Sequence, residues 1–173
     1  MMPSAKQTAC MIFESFRLKR LPRTGWLDFH LEAESVADHS FGTALIALVL
    51  CRMENLSKEE EAALLKLAIL HDLPEAKTGD LSWLQKEFVS ADVKKASKSL
   101  LSGTFLESEI SAPCEEKLLQ LCTDADRLDM LFQALIYKKS GAKTDAFIQS
   151  ALSQIKSKSA RKLAAEAIKL THP

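Results

Sequence analysis

The sequence predicts an all-α protein, on three observations. Apolar residues recur at helical spacing along the chain, whereas no segment combines β-branched residues with clean alternation. Ser35 and Ser57 are each followed three residues later by an acidic residue, the pattern of a helix capping box. The 173 residues contain no internal repeat or linker, so we expect a single domain over residues 1–173 around a hydrophobic core.

Charge and cysteine content narrow the class of protein. The 23 basic and 23 acidic residues balance without long runs of one sign, which argues against a general nucleic-acid or membrane surface. Glu14 interrupts the apolar run 9–13, so no signal peptide is predicted, and the run 41–51 is too short to span a bilayer. Cys51 and Cys122 lie among apolar residues and should be reduced, buried thiols. We expect a cytoplasmic protein that binds neither nucleic acid polymers nor membranes.

The first predicted helix covers residues 4–19. Its expected inward face contains four apolar residues, namely Met11, Ile12, Phe16 and Leu18. Pro22 and Gly25 then break the helical pattern, because neither continues a helix well. We therefore predict a loop up to His30, in a region where functional residues often occur.

Two longer helices are predicted next. The first begins near Ser35, includes His39 about one turn later and ends near Met53. The second begins after Ser57 and is apolar on almost every side, so we expect it to be the central buried helix. Pro74 should end that helix close to Asp72, because the residue before a proline avoids helical geometry.

The remaining chain also shows helical spacing. Residues 83–88 and 92–101 predict shorter helices, and Thr144 and Ser159 should cap two final helices that reach Leu170. Between them a long helix should begin at Pro113, behind residues 111–112, and end near Lys139. Its apolar stripe comprises Leu118, Leu121, Ala125, Leu128, Leu131, Phe132 and Leu135. Asp126, Asp129 and Gln133 form a neighbouring stripe at spacings of three and four residues.

Four side chains on these helices could bind a metal ion: His39, His71, Asp72 and Asp126. Burying a charged residue beside a histidine costs several kcal/mol unless a partner compensates it, and a divalent cation does so. Two imidazoles and two carboxylates suit Mn, Co, Fe, Ni or Zn better than Ca. A single histidine on an apolar face is more often a core residue, but this combination favours a metal site. His30 and His172, in a loop and at the terminus, have no such helical support.

The ordered motifs resemble the HD-domain metal-dependent phosphohydrolase superfamily, whose pattern is H…HD…D, and within it the small 5′-deoxynucleotidases. The matching segments occur in the family's order between residues 18 and 137. They are residues 23–26, 34–40, 71–76, 79–81, 124–128 and 133–134. A lone His-Asp pair is a weak signal, whereas this ordered set is specific.

The resemblance implies a single HD-domain helical bundle with a metal site between its central helices. It implies a metal-dependent phosphomonoesterase that hydrolyses deoxyribonucleoside 5′-monophosphates to deoxynucleoside and phosphate, as a homodimer. The implied ligands of one divalent transition metal are His39, His71, Asp72 and Asp126. Glu75 would activate or position the attacking water and Asp80 would shape the sugar and nucleophile side. Arg23 would bind the phosphate, and Trp26 would pack against the nucleoside.

This chemistry is coherent on general grounds, because a bound cation acidifies water and polarises a phosphoryl oxygen. Glu75 could take the remaining proton, and the guanidinium of Arg23 offers two parallel hydrogen bonds to a phosphate. Asp124 competes with Asp126 for the last ligand position. We prefer Asp126 because it shares a stripe with Asp129, and we expect Asp124 to face outward.

Other interpretations remain open for single residues. Arg23 could be a solvated loop arginine, and Trp26 could anchor its loop to the core. Asp80 could be the N-cap of a helix at residues 82–83, and Glu75 a solvated turn residue.

Two other functions also fit the pattern. One is an HD-type phosphodiesterase or pyrophosphohydrolase acting on another nucleotide. The other is a non-catalytic helical metal-binding module. Residues 89–114 depart from the family's usual intervening helices, which leaves substrate selection open.

Overall fold

The computed structural model describes residues 2–110 and 113–171, so the predictions for residues 111–112 and His172 lie outside the described residues. The described residues contain ten α-helices and no β-strand, which confirms the all-α prediction. The helices are α1 (Ala5–Ser15), α2 (Thr24–Leu27), α3 (Val36–Met53), α4 (Lys58–Leu70), α5 (Glu75–Thr78), α6 (Trp83–Lys86), α7 (Val93–Leu101), α8 (Glu116–Lys139), α9 (Asp145–Gln154) and α10 (Lys158–Thr171).

The chain divides by its internal contacts into two compact units. The first unit comprises residues 2–38 together with the described part of 70–113, and the second comprises residues 39–69 and the described part of 114–173. Helices α3 and α4 each contribute residues to both units. The prediction of a single domain over residues 1–173 stays a prediction.

The first unit has a core built from short elements. Its buried apolar residues come from α1, the turn that follows it, the first turn of α3, the 71–76 segment and α7. They are Met11, Leu18, Val36, Leu73, Ala76, Leu100 and Leu101. Because Leu73 and Ala76 belong to this core, they fix the backbone on which His71, Asp72 and Glu75 stand.

The first helix is shorter than predicted, and its inward face differs. Helix α1 ends at Ser15, and residues 16–20 form a 3₁₀ turn. The tighter period of the 3₁₀ turn rotates the chain so that Leu18 points inward, while Ile12 and Phe16 remain about half exposed. The prediction that Ile12 and Phe16 lie on the buried face is therefore wrong.

The segment predicted as a loop up to His30 contains the short helix α2. Two backbone hydrogen bonds tie the ends of this segment together. The amide of Arg23 donates to the carbonyl of Glu34 at 2.9 Å. The amide of Val36 donates to the carbonyl of Leu21 at 2.8 Å. Arg23 is therefore held by main-chain bonds on a paired backbone.

Both predicted capping boxes are confirmed. The Ser35 amide donates to Asp38 Oδ2 at 3.0 Å, and the Asp38 amide donates to Ser35 Oγ at 3.1 Å. Ser57 and Glu60 make the same reciprocal pair at 2.7 and 3.2 Å. Helices α3 and α4 consequently begin within one residue of the predicted positions.

Helix α4 is not the fully buried helix that its composition predicts. Leu64 and Ala68 are completely buried, but Ile69 is 57% exposed. The buried stripe thus consists of residues four apart, and the remaining apolar residues lie on partly solvated faces. The helix ends at Leu70. Residues 71–74 form a turn, and Pro74, the last residue of this turn, directly precedes α5.

Two short helices follow in the first unit. Ser82 caps α6 in a complete capping box with Gln85, and Asp92 caps α7 by accepting from the amide of Lys95. The alternative that Asp80 is the N-cap of the helix at residues 82–83 is therefore wrong, because Ser82 occupies that position.

In the second unit, α8 packs against α9 and α10. Helix α8 begins at Glu116 and not at Pro113, because Glu115 has extended backbone geometry. The predicted apolar stripe is buried except for Phe132, which is partly exposed. The stripe therefore supplies a continuous inward face along most of α8.

Asp124 is completely buried, so the expectation that it faces outward is wrong. Its two carboxylate oxygens accept from the amides of Lys156 and Ser157 at 2.9 and 2.8 Å, and Gln120 donates to it at 3.0 Å. These bonds satisfy backbone donors at the start of α10. Lys156 and Ser157 follow Asp124 by more than thirty residues along the chain, so spacing within α8 could not indicate these bonds.

The predicted caps of the last two helices are also corrected. Ser157 precedes α10 and accepts from the amide of Ala160, whereas Ser159 lies within the helix. Thr144 does precede α9, but its hydroxyl donates to the carbonyl of Ala134 at 2.7 Å and caps nothing.

Helix α3 is the one helix in the described part of the chain whose length and composition would allow a membrane span, which is weak evidence because core helices pass the same test. A third of it is buried. Its apolar residues are not all buried, since Phe41 and Leu45 are 72% and 52% exposed. Cys51 and Cys122 are buried as predicted, and the described residues contain no disulfide.

Candidate functional site

The predicted site residues fall in both units, and the geometry within each unit is described in turn. The first unit holds most of them: Arg23, Trp26, His71, Asp72, Glu75 and Asp80. The second unit holds His39 and Asp126.

Asp80 is fixed by the start of α2. Its Oδ2 accepts from the amide of Thr24 at 2.6 Å and from the Thr24 hydroxyl at 2.9 Å. The chain reaches this position through Gly79, whose φ of 77° lies in the left-handed region that favours glycine. Asp80 is 9% exposed, so these two bonds compensate a nearly buried carboxylate.

Arg23 lies against the acidic residues of this unit. Its Nη1 is 3.3 Å from Asp72 Oδ2 and 3.8 Å from Asp80 Oδ1, and its side chain is only 18% exposed. The alternative of a solvated loop arginine is therefore wrong. A guanidinium held in this way keeps a positive charge next to the two carboxylates.

Glu75 is an acid whose environment strongly disfavours its charged form. Burial, followed by the nearby charges of Asp72 and Asp80, raises its pKa from 4.5 to about 8, although Arg23 opposes the shift. Its Oε2 atom is buried and has no hydrogen-bond partner among the described residues. The alternative of a solvated turn residue is wrong, because a solvated carboxyl would keep its ordinary pKa.

His71 and Asp72 are adjacent in the turn after α4. His71 Nε2 lies 3.2 Å from Asp72 Oδ2, the same oxygen that Arg23 approaches. Both side chains are partly exposed, at 19% and 16%. The pair therefore presents an imidazole nitrogen and a carboxylate on one short turn.

Trp26 is 2% exposed. Its Nε1 donates to Glu34 Oε1 at 3.1 Å, which ties α2 to the segment before α3. Only a small part of its surface could therefore touch a substrate in this conformation, as expected for a tryptophan that anchors its loop.

In the second unit, His39 lies between two aspartates of α8. Its ring is completely buried, with Nδ1 at 2.6 Å from Asp129 Oδ2 and Nε2 at 3.3 Å from Asp126 Oδ1. An ionised carboxylate only accepts hydrogen bonds, so Nδ1 donates to Asp129. The lone pair of a neutral imidazole then lies on Nε2, beside the Asp126 carboxylate.

The donor chemistry of these groups fits a divalent cation. In the second unit His39 Nε2 and Asp126 Oδ1 lie 3.3 Å apart, and both atoms are acceptors when the ring is neutral. In the first unit the His71–Asp72 pair lies near Glu75, whose buried Oε2 has no hydrogen-bond partner within the described chain. Such acceptors require a positive charge, and imidazole with carboxylate is a common ligand set for transition metals.

Sequence reasoning missed two residues of this region. Asp129 was placed on the correct stripe of α8 but without its bond to His39, which is 90 residues away. Thr24 was counted as part of a motif, but its two bonds to Asp80 were not foreseen. Spacing along one helix indicates which residues share a face, but not which partner that face meets.

Comparison with known proteins places the chain in a family. A family model described as HD domain matches residues 16–170. The 5′-deoxynucleotidase hdd1 of Schizosaccharomyces pombe is 31% identical over 144 residues, which are 71% of this chain and 68% of that protein. The 5′-deoxynucleotidase HDDC2 of Xenopus laevis is 33% identical over 135 residues, covering 71% of this chain and 65% of that protein.

Solved structures show the same similarity. A conserved hypothetical protein from Pyrococcus furiosus is 34% identical, with a TM-score of 0.78 and coverage of 93% of this chain and 99% of that chain. The fold, the family model and the identity of the relatives agree along most of the sequence. This chain therefore belongs to the HD domain family.

Proposed function

We propose that this chain is a metal-dependent 5′-deoxynucleotidase, which hydrolyses deoxyribonucleoside 5′-monophosphates to deoxynucleoside and inorganic phosphate. Membership of the HD domain family supports the hydrolase class, and the relatives named 5′-deoxynucleotidase support the substrate class. The observation that carries the proposal is Glu75. It is a partly buried acid of raised pKa beside Asp72, with its Oε2 atom buried, in the same unit as the Arg23 guanidinium.

We assign His39, His71, Asp72 and Asp126 as the ligands of one divalent transition metal, namely Mn, Co, Fe, Ni or Zn. The HD family implies a divalent cation, and the nitrogen and oxygen donors of these side chains suit that group of metals. When bound, the cation supplies a Lewis acid that acidifies water and polarises the phosphoryl group.

Glu75 is the general base in this proposal. Its pKa of about 8 keeps it protonated at pH 7 in the metal-free protein. A positive charge held by the assigned ligands would favour the ionised carboxylate, and Glu75 would then be a proton acceptor. Glu75 then takes one proton from the attacking water, and its buried Oε2 keeps that proton away from bulk solvent.

The remaining residues bind and orient the substrate. Arg23 donates hydrogen bonds from its guanidinium to the phosphate oxygens, after leaving part of its contact with Asp72. Asp80, held by Thr24, shapes the side on which the sugar and the nucleophile lie. Trp26 contacts the nucleoside through the small part of its ring that is not covered.

The test is phosphate release from a panel of deoxyribo- and ribonucleoside monophosphates, with metal-stripped protein and added Mn²⁺ or Co²⁺. We expect release from the deoxyribonucleotides, and its loss in His71→Ala and Asp72→Ala. His30→Asn is the matched control, because His30 is exposed and its φ of 56° suits asparagine. This control should keep wild-type activity.

Other outcomes would decide against the proposal. Metal-loaded protein that leaves every monophosphate intact but cleaves cyclic or pyrophosphate-linked nucleotides would indicate a phosphodiesterase or pyrophosphohydrolase. Protein that melts at a higher temperature with metal, but cleaves no nucleotide, would indicate a non-catalytic metal-binding module.

We also infer that the protein is a homodimer. Four apolar side chains on α3 lie four residues apart and remain exposed: Phe41, Leu45, Val49 and Met53. Residues at this spacing form one stripe on a helix, and contiguous exposed apolar stripes are typical of interfaces between proteins.

Light scattering coupled to size-exclusion chromatography measures the mass directly. We expect a mass near twice 19.2 kDa for the wild type and a monomer for Leu45→Glu. Leu119→Glu is the control, because Leu119 is also about half exposed but lies on α8. A wild-type monomer, or a Leu45→Glu dimer, would contradict the inference.

A cytoplasmic location completes the proposal. The balanced charge of 23 basic and 23 acidic residues provides no broad surface for nucleic acids or anionic lipids. The buried thiols of Cys51 and Cys122 are in no disulfide within the described residues, as in proteins of reducing compartments. Fractionation of cells that express the tagged protein would test this location.

A further inference from the structure

We propose that Asp129 is a positioning residue, which holds the His39 ring in the tautomer and orientation that a cation requires. We propose further that residue 42 is glycine because the Asp129 carboxylate occupies the space of a side chain there. This inference rests on the proposed function, because it concerns His39, one of the assigned metal ligands. It assigns a role to two residues outside the ligand set.

The first observation is the geometry of the His39 ring. The ring is completely buried, and Nδ1 lies 2.6 Å from Asp129 Oδ2. Because a carboxylate accepts, this bond places the proton on Nδ1 and leaves the lone pair of the neutral ring on Nε2. Nε2 is the nitrogen that lies 3.3 Å from Asp126, the other assigned ligand of this unit.

The second observation is the burial of the bond itself. The Asp129 side chain is 12% exposed, so its negative charge faces the imidazole with little competition from water. A carboxylate bonded to the far nitrogen of a histidine fixes the ring and makes the near nitrogen a better donor to a metal. Loss of such a partner typically weakens metal binding by about 10- to 100-fold.

The third observation is the space beside Gly42, which follows His39 by three residues on α3. A Cβ atom built on Gly42 would lie 1.9 Å from Asp129 Oδ1 and 2.9 Å from Asp129 Cγ. Any side chain at residue 42 must therefore push the carboxylate aside. Glycine inside a helix costs about 0.5–1 kcal/mol relative to alanine, and the approach of Asp129 explains why α3 contains one here.

The experiment measures metal affinity without any nucleotide. Metal-stripped wild type, Asp129→Asn and Gly42→Ala are titrated with Mn²⁺ in competition with a fluorescent chelator. We expect both variants to bind Mn²⁺ about 10- to 100-fold more weakly than the wild type. Gly42→Ala is the sharper variant, because it alters no polar group and places a better helix former in α3.

Asp124→Asn is the matched control. Asp124 is a second completely buried carboxylate on α8, but it accepts from the backbone at the start of α10. We expect this variant to unfold at a lower urea concentration and to bind Mn²⁺ with wild-type affinity. Loss of stability alone would therefore not reproduce the effect.

A second measurement reads the His39 ring directly. Long-range ¹⁵N–¹H NMR spectra of the metal-free protein distinguish the two neutral forms of the ring, one with its proton on Nδ1 and the other with its proton on Nε2. We expect a hydrogen-bonded Nδ1 proton in the wild type and its loss or exchange broadening in Gly42→Ala. A wild-type spectrum without a proton on Nδ1 would overturn the assigned tautomer.

The outcomes separate this inference from the proposed function. If Asp129→Asn and Gly42→Ala both bind Mn²⁺ as tightly as the wild type does, the positioning role is overturned, whether or not the protein hydrolyses nucleotides. Wild-type protein that binds Mn²⁺ more tightly than both variants but cleaves no nucleotide would support the positioning role and overturn the proposed function. Wild-type protein with no affinity for Mn²⁺ or Co²⁺ would overturn the positioning role together with the metal site. If Asp129→Asn does not fold, the Gly42→Ala result decides.

Discussion

Glu75→Gln should change the pH dependence of stability in the metal-free protein. The pKa of Glu75 is raised from 4.5 to about 8, so the folded protein holds a proton that the unfolded chain has released. Folding therefore binds a proton between these values, and stability is lost as the pH rises from 4.5 towards 8. Below pH 4.5 the group is protonated in both states and contributes no pH dependence.

The size of the effect follows from the two pKa values. One pH unit in the middle of this range corresponds to about 1.4 kcal/mol, and less near either pKa, so the loss of stability between pH 5 and pH 8 is at most about 3.5 kcal/mol. Solvent that screens the partly exposed side chain reduces this to roughly 2 kcal/mol. Glutamine has nearly the same shape as glutamate but does not titrate. Between pH 5 and pH 8, the free energy of unfolding should therefore fall by about 2 kcal/mol less in Glu75→Gln than in the wild type.

Urea unfolding followed by circular dichroism, in EDTA at pH 5, 6, 7 and 8, measures this difference. Glu59→Gln, which removes an exposed glutamate on α4, should follow the wild type at each pH. Adding Mn²⁺ should shrink the difference, because a nearby cation favours ionised Glu75. Parallel curves for wild type and Glu75→Gln in EDTA would refute the raised pKa of Glu75.

Three further substitutions test other features. Asp124→Asn should lower the free energy of unfolding by about 2 kcal/mol, because an amide cannot accept equally well from the amides of Lys156 and Ser157; denaturant unfolding measures this. Gly79→Ala should cost about 1 kcal/mol in the same assay, because φ is 77° while no atom lies within 4 Å of the added Cβ. Arg23→Lys should lower kcat/KM for nucleotide hydrolysis at least tenfold, because lysine cannot offer two parallel hydrogen bonds to a phosphate; steady-state phosphate release at varied substrate tests this.

Local signals in the sequence predicted the helices well. Ser35 with Asp38, and Ser57 with Glu60, satisfy backbone donors within four residues, so their outcome depends little on the rest of the chain. Pro74 also acts locally, since it limits the conformation of the residue before it. The all-α class and the bounds of α3 followed from such short-range effects.

Features set by distant partners could not be predicted in the same way. The burial of Asp124 depends on backbone amides more than thirty residues later, and periodicity within α8 contains no information about them. The exposure of Phe16 depends on a change from α to 3₁₀ geometry after Ser15. The candidate site residues were predicted from their motif, and their roles stay predictions, whereas the bond from His39 to Asp129 required coordinates.

The backbone pairing beside Arg23 has a consequence for how such a protein can vary. The bonds from Arg23 to Glu34 and from Val36 to Leu21 close residues 24–33 into a loop with fixed ends. Changes in the interior of that loop would not move the backbone of Arg23, provided that the pairing is kept. Related sequences that keep Thr24 and Trp26 could therefore vary the rest of this segment while the position of Arg23 stays the same. Directed evolution of nucleotide selectivity could begin with a library confined to residues 27–33.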